Sequence, residues 1–600
     1  MPPAPLHALI HAQAQQSPES IALLSPGKQP LTYLALDGQL RATALQLRGL
    51  GLRREDRVAV VLPNGPEMAA AFLGVSSACV AAPLNPAYSA DEFAFYLSDL
   101  GAKALILARG GGGAERAAAG QLGIPLIELQ PEGERAGLFT LISEMPLDGA
   151  ISAVELSGPA DTALLLHTSG TTSRPKIVPL TDANLAFSAH NIAESYALTP
   201  ADRALNLMPL FHIHGLVGVL SSSLRAGASV ICTPGLRQAE IMGWLQDLRP
   251  TWFSAVPTIL QAIAELAGQS QALPSGHLRF IRSASSALPP AVAQELESLF
   301  GVPVLEAYGM TEAAHQIATN PLPPRPHKFG SVGLPAGTSR VAILDESGNL
   351  RPADTMGEIA IRGENVMGGY QNNPEANLAA FGDGWLRTGD LGYVDADGYV
   401  FIRGRNKEMI NRGGEKIAPR EVDDVLTQHP GVEQAVAFAV PHPTLGEDVA
   451  AAVVLRKGQR VSARDLRRFA AGSLADFKVP RQIVFLAEIP KGATGKVQRM
   501  GLAERLRAEL EASKTDESEG GSVPRTPVEA ELAAIWQGVL GIPSIGVHDD
   551  FLALGGDSIR AVRVLAQIND RFDLVLTIRD MFDTPTIADI AGLIENPAAS

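Results

Sequence analysis

Short, unbroken apolar runs alternating with helical patterns constrain this chain more than any other feature. Arg57-Val-Ala-Val-Val-Leu62, Ala104-Leu-Ile-Leu107 and Thr162-Ala-Leu-Leu-Leu-His167 are each long enough for one strand. Runs apolar on both faces belong in parallel sheets covered by helices on each side. The alternation continues to about residue 400 and predicts a large α/β domain with parallel-sheet subdomains over 1–404. The most apolar stretch, Met68 to Leu84, is interrupted by Gly74, Ser76 and Ser77. It reads as a buried helix leading into a strand, not as a membrane span. Gly110 to Gly113 reads as a surface loop, since no Lys-Ser/Thr signal follows to make a phosphate cradle.

Beyond about 405 the texture changes to short strands and short charged helices, which predicts a small α+β subdomain over 405–510. Residues 511–525 are rich in Ser, Gly and acid, with almost no apolar content at first, and are expected to form a flexible linker. The pattern is helical again over 526–600. Thr526 is placed to cap, Pro527 can stand at a first helical position lacking an N–H, and Glu529 follows three residues after the cap. An apolar stripe at helical spacing then runs to Leu540.

Charge narrows the function classes. The 600 residues hold 49 Lys+Arg against 64 Asp+Glu, a net charge of −15, so a general nucleic-acid binder is excluded on counterion grounds. Two cysteines, Cys79 and Cys232, cannot make a stapled secreted scaffold or a cysteine metal cluster. The segment MPPAPLHALI lacks a basic n-region and an apolar h-region. With no apparent membrane span, a cytoplasmic multidomain protein is expected.

Thr168-Ser-Gly-Thr-Thr-Ser-Arg-Pro-Lys176 follows an apolar strand. Gly170 allows close backbone approach to an anion, the hydroxyls of Thr168, Ser169, Thr171 and Thr172 can cradle phosphate oxygens, and Lys176 adds a point charge. Downstream stand Ser285-Ser-Ala-Leu-Pro289, Tyr308-Gly-Met-Thr-Glu312, Trp385-Leu-Arg-Thr-Gly-Asp390, Gly404-Arg-Asn-Lys-Glu408 and Pro490-Lys-Gly-Ala-Thr-Gly-Lys496. In this order the motifs, from about residue 10 to 505, resemble the adenylate-forming enzymes: acyl- and aryl-CoA synthetases, luciferases and nonribosomal peptide synthetase adenylation domains. Ser173 stands where the family usually has glycine.

The resemblance implies an ATP site of Thr168, Ser169, Gly170, Thr171, Thr172, Lys176, Ser285, Tyr308, Gly309, Asp390 and Arg405. Thr311 would contact the α-phosphate, and Glu312 with Thr171 would hold Mg²⁺. Asp390 and Arg405 would bind the ribose. Lys496 would lie between the attacking carboxylate and the α-phosphate, where an ammonium lowers anion–anion repulsion as the transition state forms. Lys407 matches the family's hinge, and Gly413-Gly-Glu-Lys416 the loop that enters during thioester formation. His212, in Pro209-Leu-Phe-His-Ile-His214, matches the residue gating the thiol tunnel.

Asp550-Phe-Leu-Ala-Leu-Gly-Gly-Asp-Ser-Ile559 resembles the attachment signature of carrier proteins. It implies an all-α four-helix carrier domain, with Ser558 at a helix N-terminus bearing 4′-phosphopantetheine. The same family matching places His214, Gly218, Ile281, Ser283, Ala307, His315 and Gln316 in the acid pocket. His214 stands where amino-acid-activating members hold an Asp that pairs with the substrate ammonium. A histidine cannot make that pair, so an ordinary α-amino acid is disfavoured. Val256-Pro-Thr258, Arg282-Ser-Ala-Ser-Ser286 and Thr311-Glu-Ala-Ala-His-Gln316 resemble oxalate–CoA ligases, which carry no such carrier.

The leading expectation is therefore an acid–thiol ligase that adenylates a small, polar or non-α-amino carboxylic acid with ATP and Mg²⁺ and loads it on Ser558. Its partners would be a phosphopantetheinyl transferase and a downstream enzyme. Two alternatives are a ligase releasing acyl-CoA from free CoA and a non-catalytic nucleotide-binding scaffold. Fatty and aryl acids stay open as substrates.

Overall fold

The computed structural model describes the chain except residues 1–3, 146–154, 169–174, 271–275, 443–444, 491–496, 498, 519–522, 543–544, 550, 552–553, 555–557, 573, 575, 578–579, 582–583, 585 and 596–600. Two compact units divide it, 1–402 and 403–600, two residues before the boundary expected at 404.

The first unit contains the predicted parallel sheets. A seven-stranded sheet runs Phe139–Ser143, Leu126–Pro131, Ala104–Ala108, Arg57–Val61, Val80–Pro83, Thr162–Thr168, Lys176–Thr181 in spatial order. Its five inner strands are parallel and its two edges antiparallel. A nine-stranded sheet is built similarly. Its parallel centre joins Ser229–Cys232, Arg203–Asn206, Trp252–Ala255, Phe280–Ala284 and Val304–Met310, and His315–Thr319 returns antiparallel. The helix Pro66–Ala78 is buried on almost every face and leads into the strand Val80–Pro83, as the apolar run predicts. Side chains from both sheets share one hydrophobic core with this helix. A five-stranded, mainly antiparallel sheet, with Gly357–Arg362 and Trp385–Val394 at its centre, completes the unit.

The second unit begins with a five-stranded sheet centred on the long hairpin Val432–His442 and Gly446–Leu455. Helices Pro419–Thr427 and Ala463–Ala471 pack their apolar faces into its core through Val422, Leu426, Leu466 and Ala470. The stretch expected to be a linker from 511 starts as helix: Arg507–Ser518 is α-helical. Glu509, Glu511, Ala512 and Lys514 are good helix formers, and Leu510 buries against the back of the sheet.

Three helices of the C-terminal region are described: Pro527–Leu540, Ser558–Phe572 and Ile587–Glu595. The fourth expected helix falls where the chain is only partly described. The Thr526 hydroxyl accepts from the Glu529 N–H at 3.1 Å with Pro527 at the first helical position, as its sequence pattern predicts. Trp536, Phe551, Val564, Ile568 and Ile590 close a separate small core.

Candidate active site

The phosphate-loop motif is a hairpin. Strand Thr162–Thr168 pairs antiparallel with Lys176–Thr181, with Thr168 opposite Lys176. Ser169, Gly170, Thr171 and Thr172 come between the two strands in sequence and lie outside the described residues, as does Lys496. At the hairpin base, His167 Nε2 and Asp99 Oδ2 are 3.0 Å apart. Burial holds the His167 imidazole below its ordinary value, partly countered by Asp99.

Beside the hairpin, Lys176 Nζ lies 4.5 Å from the centroid of the Tyr370 ring, within cation–π range. The Tyr370 hydroxyl donates to Glu312 Oε1 at 2.8 Å. Glu312 is buried, in a single 3₁₀ turn with Thr311 and Ala313. Asp390, also buried, accepts from the Tyr308 hydroxyl. Lys176 and Glu312 thus meet at Tyr370, Asp390 meets Tyr308, and each carboxylate accepts from a phenol.

A segment that the sequence reading passed over laces these groups together. The buried Asn365 amide donates to Ala313 O and Gln316 O at 3.0 and 3.1 Å. Met367 N donates to Glu312 O at 2.8 Å, and Gln371 N to Ile177 O at 3.1 Å on the hairpin. Asn184 donates to Glu364 O and Val366 O at 2.8 and 3.0 Å. Buried asparagines serving backbone carbonyls were the available signal, though one sequence does not reveal burial.

Most residues expected in the acid pocket meet on one face of the nine-stranded sheet. A π-helix, a form that recurs at functional sites, covers His214–Ser221 and buries every residue of it. His214 Nδ1 is 3.1 Å from Ser285 Oγ and its Nε2 is 2.7 Å from Ser254 Oγ. The His214 and His315 rings meet edge to face at 4.9 Å. Between them stands Gly218, where a Cβ would lie 2.8 Å from His315 Nε2 and 3.2 Å from His214 Cδ2. Only a hydrogen keeps that cleft open. Ser285, Ala314 and His315 have φ of +77°, +48° and +102°. Non-glycine residues held in this region store strain, which clusters at functional sites.

Strand register separates the proposed pocket residues. Ser254 pairs with Arg282 and Ala284 with Ala307, so these share the face turned to the π-helix, along with Gln316, which meets Arg282. Ile281 and Ser283 alternate to the opposite face. There Ile281 packs with Phe253, Leu260 and Ile263 in a core under the helices. The structure therefore groups His214, Gly218, Ala307, His315 and Gln316, and puts Ile281 and Ser283 behind the sheet. Ser254, Arg282 and Tyr196 are pocket-side residues that the sequence reading did not assign.

In the second unit, Arg405 ends the strand Val400–Arg405 and Lys407 sits in the 3₁₀ turn Asn406–Glu408. Gly413 and Gly414, at φ +60° and +99°, turn the hairpin between Ile410–Arg412 and Glu415–Ile417. Positive φ at both central residues suits a tight hairpin and favours glycine, and the turn presents Glu415 and Lys416 at the surface. Arg499, three residues past Lys496, bonds Asp423 and lies 3.4 Å from Glu408, tying the end of that loop to the segment holding Lys407. Ser558 opens the helix Ser558–Phe572; its side chain lies outside the described part. His212 is half-buried, its ring 4.6 Å from Phe211. No helix among the described residues is long and apolar enough to cross a membrane.

Known proteins match this arrangement along most of the chain. The AMP-binding enzyme family matches residues 10–371, its C-terminal domain 421–496, and a phosphopantetheine attachment site 530–594. An oxalate–CoA ligase of Arabidopsis thaliana is 45% identical over 84% of this chain and 98% of its own length. A sulfoacetate–CoA ligase of Cupriavidus necator is 39% identical over 83% and 97%. The crystal structure of ATP-bound MatB from Rhodopseudomonas palustris superposes with a TM-score of 0.74 at 29% identity, covering 84% of this chain and 99% of that one. With the ordered motifs, the two-unit fold and these likenesses, the chain belongs to the AMP-binding enzyme family, an ATP-dependent, AMP-forming acid–thiol ligase that carries a phosphopantetheine attachment domain.

Proposed function

We propose that this ligase activates a short carboxylic acid bearing a second anionic or strongly polar group and loads it onto its own carrier at Ser558. The observation that carries the reading is the pocket where two buried histidines and the buried Arg282 guanidinium stand together, bridged by the Ser254 and Ser285 hydroxyls and the Gln316 amide oxygen. An α-amino acid needs an anion for its ammonium, and this wall offers donors instead. Oxalate and sulfoacetate, the acids in the names of two relatives, are both short and doubly anionic.

The substrate carboxylate attacks the α-phosphorus of ATP. A carboxylate O–P bond forms, the bond to the bridging oxygen breaks, and pyrophosphate leaves. Lys176, and Lys496 once its loop is in place, would offset the charge that gathers at the phosphorus. Asp390 would accept the ribose hydroxyls. Glu312 fits a Mg²⁺ site, because that ion commonly takes one or two carboxylates together with substrate phosphates and water; when bound it would neutralise phosphate charge. Tyr370 keeps the Glu312 carboxylate aimed.

Rotation of the small subdomain about Lys407 would then exchange the Lys496 loop for the Gly413–Lys416 hairpin, with His212 beside the thiol path. Phosphopantetheine attached by a transferase at Ser558 supplies the acceptor thiol, and AMP is the leaving group. A short tether holds that thiol at roughly millimolar effective concentration. A separate enzyme would collect the loaded acyl group.

A second reading, release of acyl-CoA from free CoA, is favoured by the names of the relatives, which are CoA ligases. One experiment separates the two. The phosphopantetheinylated protein is incubated with ATP, Mg²⁺ and oxalate, with and without CoA, and both intact protein mass and acyl-CoA are followed. Acyl mass on the wild type that is lost in Ser558→Ala supports self-loading. Acyl-CoA forming faster than the loaded carrier overturns it.

A further inference from the structure

Arg282 has no exposed surface, and its hydrogen-bond partners among the described residues are a phenol, a hydroxyl, an amide oxygen and an imidazole. Its Nε donates to the Tyr196 hydroxyl at 2.9 Å and Nη1 to Ser254 Oγ at 3.2 Å. Its Nη2 donates to Gln316 Oε1 at 2.9 Å and reaches His315 Nδ1 at 3.3 Å. The Tyr196 ring centroid lies 5.7 Å from the guanidinium carbon. Among the described residues no carboxylate forms an ion pair with it, whereas its strand neighbour Arg279 pairs with Asp202 at 2.7 Å. Taking a guanidinium out of water is costly, and neutral dipoles offset only part of that cost. An anion brought to this site would supply the rest.

The direction of the hydrogen bonds shows how that charge reaches the pocket. A guanidinium only donates, so His315 accepts at Nδ1 and keeps its proton on Nε2. That atom faces the cleft opened by Gly218. Ser254 accepts from Arg282 and can pass its own proton to His214 Nε2. His214 then donates through Nδ1 to Ser285 Oγ, and the Ser285 hydroxyl is left as a donor. Two chains starting at one cation both end in donors.

We propose that Arg282 is a specificity-determining, positioning residue. It heads two hydrogen-bond chains that turn His315 and Ser285 into donors for the second anionic group of a short dianionic acid. The inference rests on reading this cleft as the acid pocket. It adds which residue sets the charge preference, acting through its neighbours.

The test compares oxalate with oxamate, in which a neutral amide replaces one carboxylate at nearly the same size. Carboxylate-dependent pyrophosphate exchange is measured on the full chain for wild type, Arg282→Gln, Arg282→Lys and Ser254→Ala. Wild type is expected to take oxalate with a KM about tenfold or more below that for oxamate. Arg282→Gln should raise the oxalate KM by about tenfold or more, as for loss of a charged hydrogen-bonding group, leaving the KM values for oxamate and ATP within about twofold. Arg282→Lys should recover part of the preference, since it restores charge without the fork. Ser254→Ala cuts only the His214 chain, so its selective rise should be smaller, about threefold; it also carries the test if Arg282→Gln does not fold. Equal losses on both acids, or losses confined to kcat or the ATP KM, overturn the role of Arg282 while leaving the acid preference of the wild type standing. A wild type that exchanges with none of oxalate, malonate and sulfoacetate overturns the dianionic reading and this inference with it.

Discussion

The surroundings of Arg282 and those of Glu312 and Asp390 differ in electrostatic character within the first unit. On the proposed acid side a buried cation, Arg282, is surrounded by a phenol, a hydroxyl, an amide oxygen and an imidazole. On the proposed nucleotide side two buried carboxylates, Glu312 and Asp390, each accept from a tyrosine. Glu312 and His315 are three residues apart, yet one belongs to each side. The first side is suited to receive negative charge, the second to receive a cation and hydroxyl donors. A buried cation favours an incoming anion, and buried carboxylates favour an incoming cation, because either ligand offsets part of the cost of burying the charge.

The largest expected effect comes from removing negative charge on the nucleotide side. Glu312→Gln keeps the shape of the side chain and can still accept from Tyr370. Its kcat in pyrophosphate exchange should fall by roughly 10²–10³, the range seen when one preorganised electrostatic group is lost, with the acid KM little changed. A loss below about tenfold would break the contrast between the sides, because Glu312 would then be structural.

The acid side should respond in the other parameter. Gly218→Ala places a methyl group 2.8 Å from His315 Nε2, and overpacking of that kind costs about 1–3 kcal/mol. The acid KM should rise by about tenfold or more, while nucleotide binding, measured calorimetrically, stays as in the wild type. Equal weakening of both would show that the two sides are not separable.

The smallest effect is a pH dependence at the base of the phosphate hairpin. Burial lowers the His167 value, so below the ordinary imidazole range of about 6.5 the unfolded chain binds more protons there than the folded one. The stability contributed by neutral His167 is present above that range and is lost as pH falls toward the folded value. His167→Gln should therefore lose less unfolding temperature than wild type between pH 7.5 and 5.5, by ~1–2 °C. An identical acid slope in both proteins would show that His167 does not titrate differently on folding.

Much of the architecture was legible because its cause is local. Apolar runs such as Thr162–His167 become inner strands whichever helices cover them, and Thr526-Pro527 with Glu529 starts a helix through bonds within one turn. The helix Arg507–Ser518 was harder to read, since its low apolar content suggested a linker while its Glu and Ala content favours helix. In the candidate site, the ordered motifs pointed to Lys176 and Glu312, which meet at Tyr370, and to Tyr308 and Asp390, which pair with each other. They did not point to Tyr370, Asn365, Ser254 or Tyr196, whose relevance depends on what they touch across 28 to 120 positions of chain.

What the sequence determined alone was the set of chemical groups and their order along the chain: a Ser/Thr/Gly run ending in Lys176, the turns bearing Glu312 and Asp390, Lys496, and Ser558 at the start of a helix. What only tertiary structure decided was which of neighbouring residues face one another. Ile281, Arg282 and Ser283 are consecutive, and strand pairing sends the middle one toward the π-helix and the other two to the opposite face of the sheet. A two-residue period makes every such assignment turn on register, and register is fixed by the packing of the whole sheet rather than by any three residues of it.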